Sequence, residues 1–278
     1  MDSDSPGRRG RLHGFSINRL IPNILTLAAL CSGLTSIRFA LQGEMRLAVI
    51  AIIVASIFDA LDGRVARRLG VTSRFGAELD SLSDFLCFGV TPALVLYLAS
   101  LKDGGALGWV VTLMFPICSA LRLARFNTAL VSDTPPPVWT GSFFTGVPAP
   151  AGALLALIPL MVSFEIEAAW PRHALVVGAV LVAVGGLMVS RLPTYSFKKG
   201  RVPRHLVLPS LLGAALVMGV LASAPWIALS LLGLGYVALI PFSWMAYRRQ
   251  ASQDRRGAAK PGDVVSLRAV DSGPSAPH

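Results

Sequence analysis

The feature that most constrains this chain is a repeating one. Apolar runs of about twenty residues alternate with short links that are rich in arginine. A helix of about twenty apolar residues is long enough to cross the hydrocarbon core of a bilayer. Hydrophobic residues make up 54% of the sequence and charged ones only 14%, with a mean hydropathy of +0.63, as expected for a polytopic membrane protein. Eight spans are predicted, at about 21–41, 47–65, 79–101, 106–125, 147–164, 174–189, 206–223 and 226–247. The shortness of the sixth leaves seven as the alternative count. Residues 1–16 and 249–278 are polar and are expected to be disordered tails flanking a transmembrane domain at 17–248.

Charge placement orients this map. With the N-terminus inside, 21 of the 25 basic residues fall on the cytoplasmic side, leaving Arg38, Arg46, Lys102 and Arg172 opposite. That asymmetry favours eight spans with both ends cytoplasmic. The net charge of +10 is then explained by topology and contact with anionic lipid, not by nucleic acid. Cys31, Cys87 and Cys118 lack metal-type spacing and are expected as buried small hydrophobes. The four histidines form no cluster.

Against this background the stretch 58–92 stands out. It reads FDALDGRVARRLGVTSRFGAELDSLSDFLCFGVTP and holds Asp59, Asp62, Asp80 and Asp84 in a chain poor in acid. Asp59 and Asp62 are three apart and Asp80 and Asp84 four apart, so each pair shares a helix face. Two such helices joined by a short turn bring the pairs together. An ionised Asp at membrane depth costs roughly 2.5–3.5 kcal/mol, and a divalent cation is the natural compensation for four. Hard cations such as Mg²⁺ or Mn²⁺ bridge carboxylates and phosphates. Gly63, Ala66 and Gly76 leave helix faces without bulk where a nucleotide can approach, and Arg67 can pair with a phosphate; close helix packing is the alternative account. A cation-coupled transporter and a non-catalytic scaffold are rival readings of the same carboxylates.

The pattern Asp59-x-x-Asp62-Gly63-x-x-Ala66-Arg67 followed by Gly76-x-x-x-Asp80-x-x-x-Asp84 resembles the signature of the CDP-alcohol phosphotransferase family. That resemblance implies an all-α integral membrane enzyme that displaces CMP from a CDP-linked donor with an alcohol. It implies Asp59, Asp62, Asp80 and Asp84 as ligands of divalent cations, two in number, with Asp84 also taking the acceptor's proton. Gly63, Ala66 and Arg67 become the cytidine nucleotide site. Shorter motifs, Phe88-Gly89-Val90-Thr91-Pro92-Ala93 among them, resemble the bacterial integral-membrane phosphatidylserine synthase branch. So do those at 22–26, 122–127, 146–150 and 193–198. The branch implies CDP-diacylglycerol and L-serine as substrates, a bacterial cytoplasmic membrane location and a homodimer. Glycerol phosphate, inositol phosphate and choline remain alternative acceptors. Arg122 and Arg125, three apart on one helix face, suit a serine carboxylate or lipid phosphate, or serve as topology anchors. Arg191 and Lys198 are candidates of the same kind. Asn23 and Thr26 either contact the nucleotide or belong to a helix start.

Overall fold

A computed structural model describes residues 17–71, 73–131, 143–166, 168–190, 193–195 and 207–258. Its first two helices, α1 (Ile17–Leu41) and α2 (Met45–Leu69), form a long antiparallel hairpin. The turn between them uses Gly43 at φ 82°, a left-handed conformation that glycine adopts without steric cost. α2 ends at Gly70 (φ 63°), whose N–H bonds back to the Ala66 carbonyl. The Val71 N–H shares that acceptor, closing the helix with a left-handed cap. α3 (Arg74–Asp84) starts almost at once, with Ser73 as N-cap accepting the Gly76 N–H at 3.0 Å. The stop and the start lie four residues apart, so the carboxylate-bearing ends of α2 and α3 are held side by side.

After Asp84 the helix continues with altered pitch. A π-helical segment, Phe85–Val90, leads into α4 (Thr91–Leu96), and a second, Tyr97–Leu101, precedes a tight turn. Gly105 (φ 58°) then launches α5 (Gly105–Val131) in the reverse direction. Gly89 lies so close to Ser119 that a Cβ there would meet the serine side chain at 2.9 Å. Further along, Tyr97 packs edge-on against Trp109 at 5.1 Å. Two stretches among the described residues are long and apolar enough to cross a membrane, Leu20–Leu41 and Arg74–Ala129. The second contains 56 residues because it is this entire hairpin.

The remaining helices are α6 (Ala149–Ala156), α7 (Ile158–Val162), α8 (Ala174–Val189), α9 (Val207–Ser223) and α10 (Pro225–Ala258). α7 is offset from α6 at Leu157, ahead of Pro159, which has no N–H to continue the ladder. The helices gather around Ile52, Phe88, Leu96, Phe115, Leu157 and Leu181, all fully buried. The outside is apolar too: Leu107, Leu208 and Leu216 are each at least two-thirds exposed, the arrangement of a surface that faces lipid.

The architecture is helical as expected, apart from β1 (Phe143–Thr145) and β2 (Pro193–Tyr195), which pair antiparallel with Phe144 opposite Thr194. Two expectations need correction. Cys31 is exposed rather than buried, whereas Cys87 is buried and accepts a close approach from Gly33. And α10 runs on to Ala258, past the boundary expected at Arg248, into a segment whose polar, Ser-, Pro- and Arg-rich composition argued against order. The expected tail residues 1–16 and 259–278 lie outside the described residues.

Candidate active site

Four carboxylates meet where α2 faces α3. Oxygen atoms of Asp59, Asp62 and Asp80 all lie within 4.8 Å of one another. Asp84 stands one turn beyond Asp80, within hydrogen-bonding reach of Asp59. Two carboxylates at that distance need a proton or a cation between them. Asp62 is buried, and Thr26 of α1 donates its hydroxyl proton to Asp62 Oδ2 at 2.6 Å. The Pro22 carbonyl is a second acceptor for the same hydroxyl at 3.1 Å, but the shorter contact to a charged oxygen dominates. α1 is thus tied to the acidic cluster directly. The Ser83 hydroxyl reinforces the tie by donating to the Thr26 carbonyl at 3.4 Å, as does the Cys87 thiol to the Ala29 carbonyl at 3.3 Å. The all-oxygen donor set, with an Asp84 Oδ1 that is buried and has no hydrogen-bond partner, fits a hard divalent cation.

Beside the carboxylates lies a cleft between α1, α2 and α3. Its lining includes Asn23, Thr26, Asp62, Gly63, Ala66, Arg67, Gly76 and Asp80, so every residue singled out for the nucleotide reaches one concavity. The glycines have a local reason to be there. A Cβ on Gly76 would lie 3.0 Å from Asn23 Oδ1 and 3.1 Å from Ser73 Oγ, and one on Gly63 would press on the Arg67 guanidinium at 3.3 Å.

On the other flank the two arginines of α5 have different fates. Arg125 donates from Nη1 to the Val189 carbonyl at 2.8 Å and from Nη2 to the Ser190 carbonyl at 3.1 Å. It therefore caps the C-terminus of α8, whose last carbonyls lack intrahelical partners. Arg122 instead faces Asp84, and its Nε–H is buried with no hydrogen-bond partner. The structure thus separates a pair that the sequence grouped on one face. Asn127 donates to Ser81 Oγ at 3.0 Å, joining the end of α5 to α3. Arg191 and Lys198 fall outside the described residues; β1, which directly precedes the motif at 146–150, pairs with Pro193–Tyr195, the described part of the motif at 193–198.

A sequence-family model described as CDP-alcohol phosphatidyltransferase matches residues 19–187, the part of the chain that carries all four carboxylates. This chain belongs to the CDP-alcohol phosphatidyltransferase family. A second model, CDP-alcohol phosphatidyltransferase 2, matches residues 205–241. Among characterised relatives, the chain is 38% identical over 242 residues to a CDP-diacylglycerol–serine O-phosphatidyltransferase of Mycobacterium leprae. That match covers 85% of this chain and 80% of the relative. A protein of the same name from Helicobacter pylori is 34% identical over 180 residues, covering 65% of this chain and 73% of the relative. An archaetidylserine synthase of Methanothermobacter thermautotrophicus is 33% identical over 174 residues, covering 61% and 67%.

For a CDP-alcohol phosphatidyltransferase, two features of this site lay beyond sequence reasoning. One is the π-helical turn that starts directly after Asp84. Such turns gather at functional positions because the extra residue re-aims side chains, and no residue pattern announces them. The other is Tyr236 of α10, which comes near enough to Arg122 to act on it electrostatically and so brings the last helix toward the site. A Tyr in an apolar span gives no such signal by itself.

Proposed function

We propose that the chain is a CDP-diacylglycerol–serine O-phosphatidyltransferase, forming phosphatidylserine and CMP. The observation that carries the reading is the convergence of Asp59, Asp62 and Asp80 beside a cleft lined by Gly63, Ala66, Arg67 and Gly76. It is supported by the names of relatives that match most of the chain. Serine is the acceptor in preference to glycerol phosphate, inositol phosphate or choline on the strength of those names.

Each residue then has a task. Asp59, Asp62, Asp80 and Asp84 would hold two divalent cations, Mg²⁺ or Mn²⁺, which when bound neutralise the donor pyrophosphate. Gly63, Ala66, Arg67, Gly76, Asn23 and Thr26 accommodate the cytidine nucleotide. Arg122, with its unpaired Nε–H, receives the serine carboxylate. Asp84 accepts the proton of the serine hydroxyl as that oxygen attacks the phosphorus bearing diacylglycerol. The bond from phosphorus to the CMP oxygen breaks, and CMP leaves through the cleft. Burial of Asp84 Oδ1 would keep that oxygen from water that otherwise competes as nucleophile.

The eight spans of this reading would be α1, α2, the two arms of the α3–α5 hairpin, α6 with α7, α8, α9 and α10. With the basic residues placed as above, both termini lie in the cytoplasm and the nucleotide enters from that side of a bacterial inner membrane. The active form would be a homodimer. The deciding experiment is CMP release by purified protein from CDP-diacylglycerol, with and without serine and with and without divalent metal. Release dependent on both supports the reading. Ion-driven solute flux without CMP release would replace it with a transporter, and release driven only by another alcohol would change the acceptor.

A further inference from the structure

The two carboxylate pairs sit on helices that barely pack on each other. Among the described residues α2 and α3 share few close backbone approaches, whereas α1 runs along α2 and also packs on α3 and on the π-helical turn that follows it. The spacing between Asp62 and the pair on α3 is therefore transmitted by α1. Thr26 begins that connection, because its hydroxyl donates to Asp62 Oδ2 while its carbonyl accepts the Ser83 hydroxyl. One turn further along, the Ala29 carbonyl accepts the Cys87 thiol at 3.3 Å, and Cys87 Sγ lies 3.8 Å from Ser83 Oγ. Thr26, Ala29 and Gly33 recur at intervals of three and four residues, so they line one face of α1. Ser83, next to Asp84 in the chain, and Cys87, one turn beyond it, meet that face.

At Gly33 the two elements are in closest register. A Cβ there would lie 2.6 Å from Cys87 Sγ and 3.3 Å from Cys87 Cα. Turning the thiol away would not relieve the second approach, because a Cα moves only with its backbone. Cys87 is fully buried and belongs to the π-helical turn Phe85–Val90, which starts directly after Asp84. Whatever seats Cys87 against Gly33 thus fixes how far the carboxylate end of α3 stands from α1, and how that end is turned about its axis.

We infer that Cys87, seated in the notch at Gly33, is a positioning residue that holds Asp80 and Asp84 at the separation from Asp59 and Asp62 that a divalent cation requires. The inference rests on the metal binding proposed above. Cys87 touches neither cation nor substrate and acts through the α1–α3 spacing. A thiol that served packing alone would affect melting and leave metal affinity unchanged. A thiol that sets the spacing of the ligands affects metal affinity as well.

Titration of the full chain in detergent with Mn²⁺, followed by loss of the free-ion electron paramagnetic resonance signal, tests this without turnover. Gly33→Ala should weaken Mn²⁺ binding on the order of tenfold, the usual effect of disturbing the residues that orient metal ligands. Cys87→Ala should weaken it by less. In the double variant the missing sulfur makes room for the new Cβ, so affinity should recover above that of Gly33→Ala alone, the non-additivity of a directly packed pair. Unchanged affinity in Gly33→Ala, or no recovery in the double variant, overturns the inference. Should Gly33→Ala fail to fold, Cys87→Ala and Cys87→Ser decide. Serine still donates to the Ala29 carbonyl and should regain most of the affinity that alanine loses. Wild-type affinity in both, with lowered melting temperatures, means that Cys87 only packs and overturns the inference. The expected pattern in a protein that releases no CMP would defeat the proposed reaction and leave the inference standing, whereas a wild-type chain that binds no Mn²⁺ would defeat both.

Discussion

Asp62 and Arg122 flank the same reaction centre, yet their surroundings differ. Asp62 is buried with a 2.6 Å hydrogen bond from Thr26 already in place. Arg122 offers an Nε–H that is equally hidden from solvent and that nothing accepts. The contrast extends to whole regions. The nucleotide side is drawn from α1, α2 and α3, neighbours in sequence, and there Thr26 already donates to Asp62 and Ser73 already accepts from Gly76. The acceptor side is drawn from Asp84, Arg122 and Tyr236 on three helices distant in the chain, and it keeps unsatisfied atoms. Leaving a buried polar group unpaired costs about 1–3 kcal/mol. A folded chain tolerates that cost where a ligand supplies the missing partner. The nucleotide side is therefore partly set by bonds within the chain, whereas the acceptor side is completed by what binds there.

The sharpest break between the two sides should come from Asp84→Asn. It removes the proton acceptor while leaving the Asp59–Asp62–Asp80 cluster in place. CMP release should fall by roughly 10²–10⁴-fold, the usual contribution of general base catalysis, with CDP-diacylglycerol binding by calorimetry largely kept. Near-normal turnover would take the base role away from Asp84. Next in size is Arg122→Gln, which keeps a polar side chain but loses the charge. The KM for serine should rise on the order of tenfold to a hundredfold, the loss of charge-assisted hydrogen bonds worth about 1.5–3 kcal/mol, with the KM for donor unmoved. A rise confined to the donor KM would place Arg122 on the nucleotide side and erase the comparison.

How much of this was readable beforehand follows the same division. Asp59, Asp62, Asp80 and Asp84 sit at helical spacings on two segments joined by a short turn, so geometry within 26 residues determines that they meet. Gly63, Ala66, Arg67 and Gly76 share those segments and were legible for the same reason. Arg122 and Arg125 were legible only as a pair. Three residues of spacing places both on one face, but which of them reaches the reaction centre depends on where the C-terminus of α8 comes to rest, 64 residues later. Tyr236 depends on the packing of α10, and the β1–β2 pairing joins segments 50 residues apart. Nothing local encodes either.

Smaller effects probe the nucleotide side. Thr26→Val keeps the shape of the residue and deletes the hydrogen bond to Asp62. A loss of about 1 kcal/mol is expected for one such bond, or about fivefold in donor affinity measured at fixed metal. Because Asp62 would remain buried with its oxygen unpaired, the deficit should shrink as divalent metal is raised to saturation. A deficit independent of metal would mean that Thr26 acts on the nucleotide directly rather than through Asp62.

The smallest kinetic effect is expected at Arg125, although it lies one turn from Arg122 on the same helix. Its guanidinium is committed to the Val189 and Ser190 carbonyls, and a Cβ on Gly146 (φ 79°) would meet the same Ser190 carbonyl at 2.9 Å and Arg125 Nη2 at 3.5 Å. Arg125→Gln should therefore register as stability, lowering the unfolding free energy by about 1–3 kcal/mol through two carbonyls left without donors. Thermal melting in detergent reads this directly. Turnover at a temperature well below the melt should change by no more than about twofold, with the serine KM moving less than in Arg122→Gln, because the lost bonds hold a helix end and not a substrate. If instead Arg125→Gln raises the serine KM as strongly as Arg122→Gln while melting normally, both arginines touch the acceptor. The cap on α8 would then be a resting position that substrate displaces.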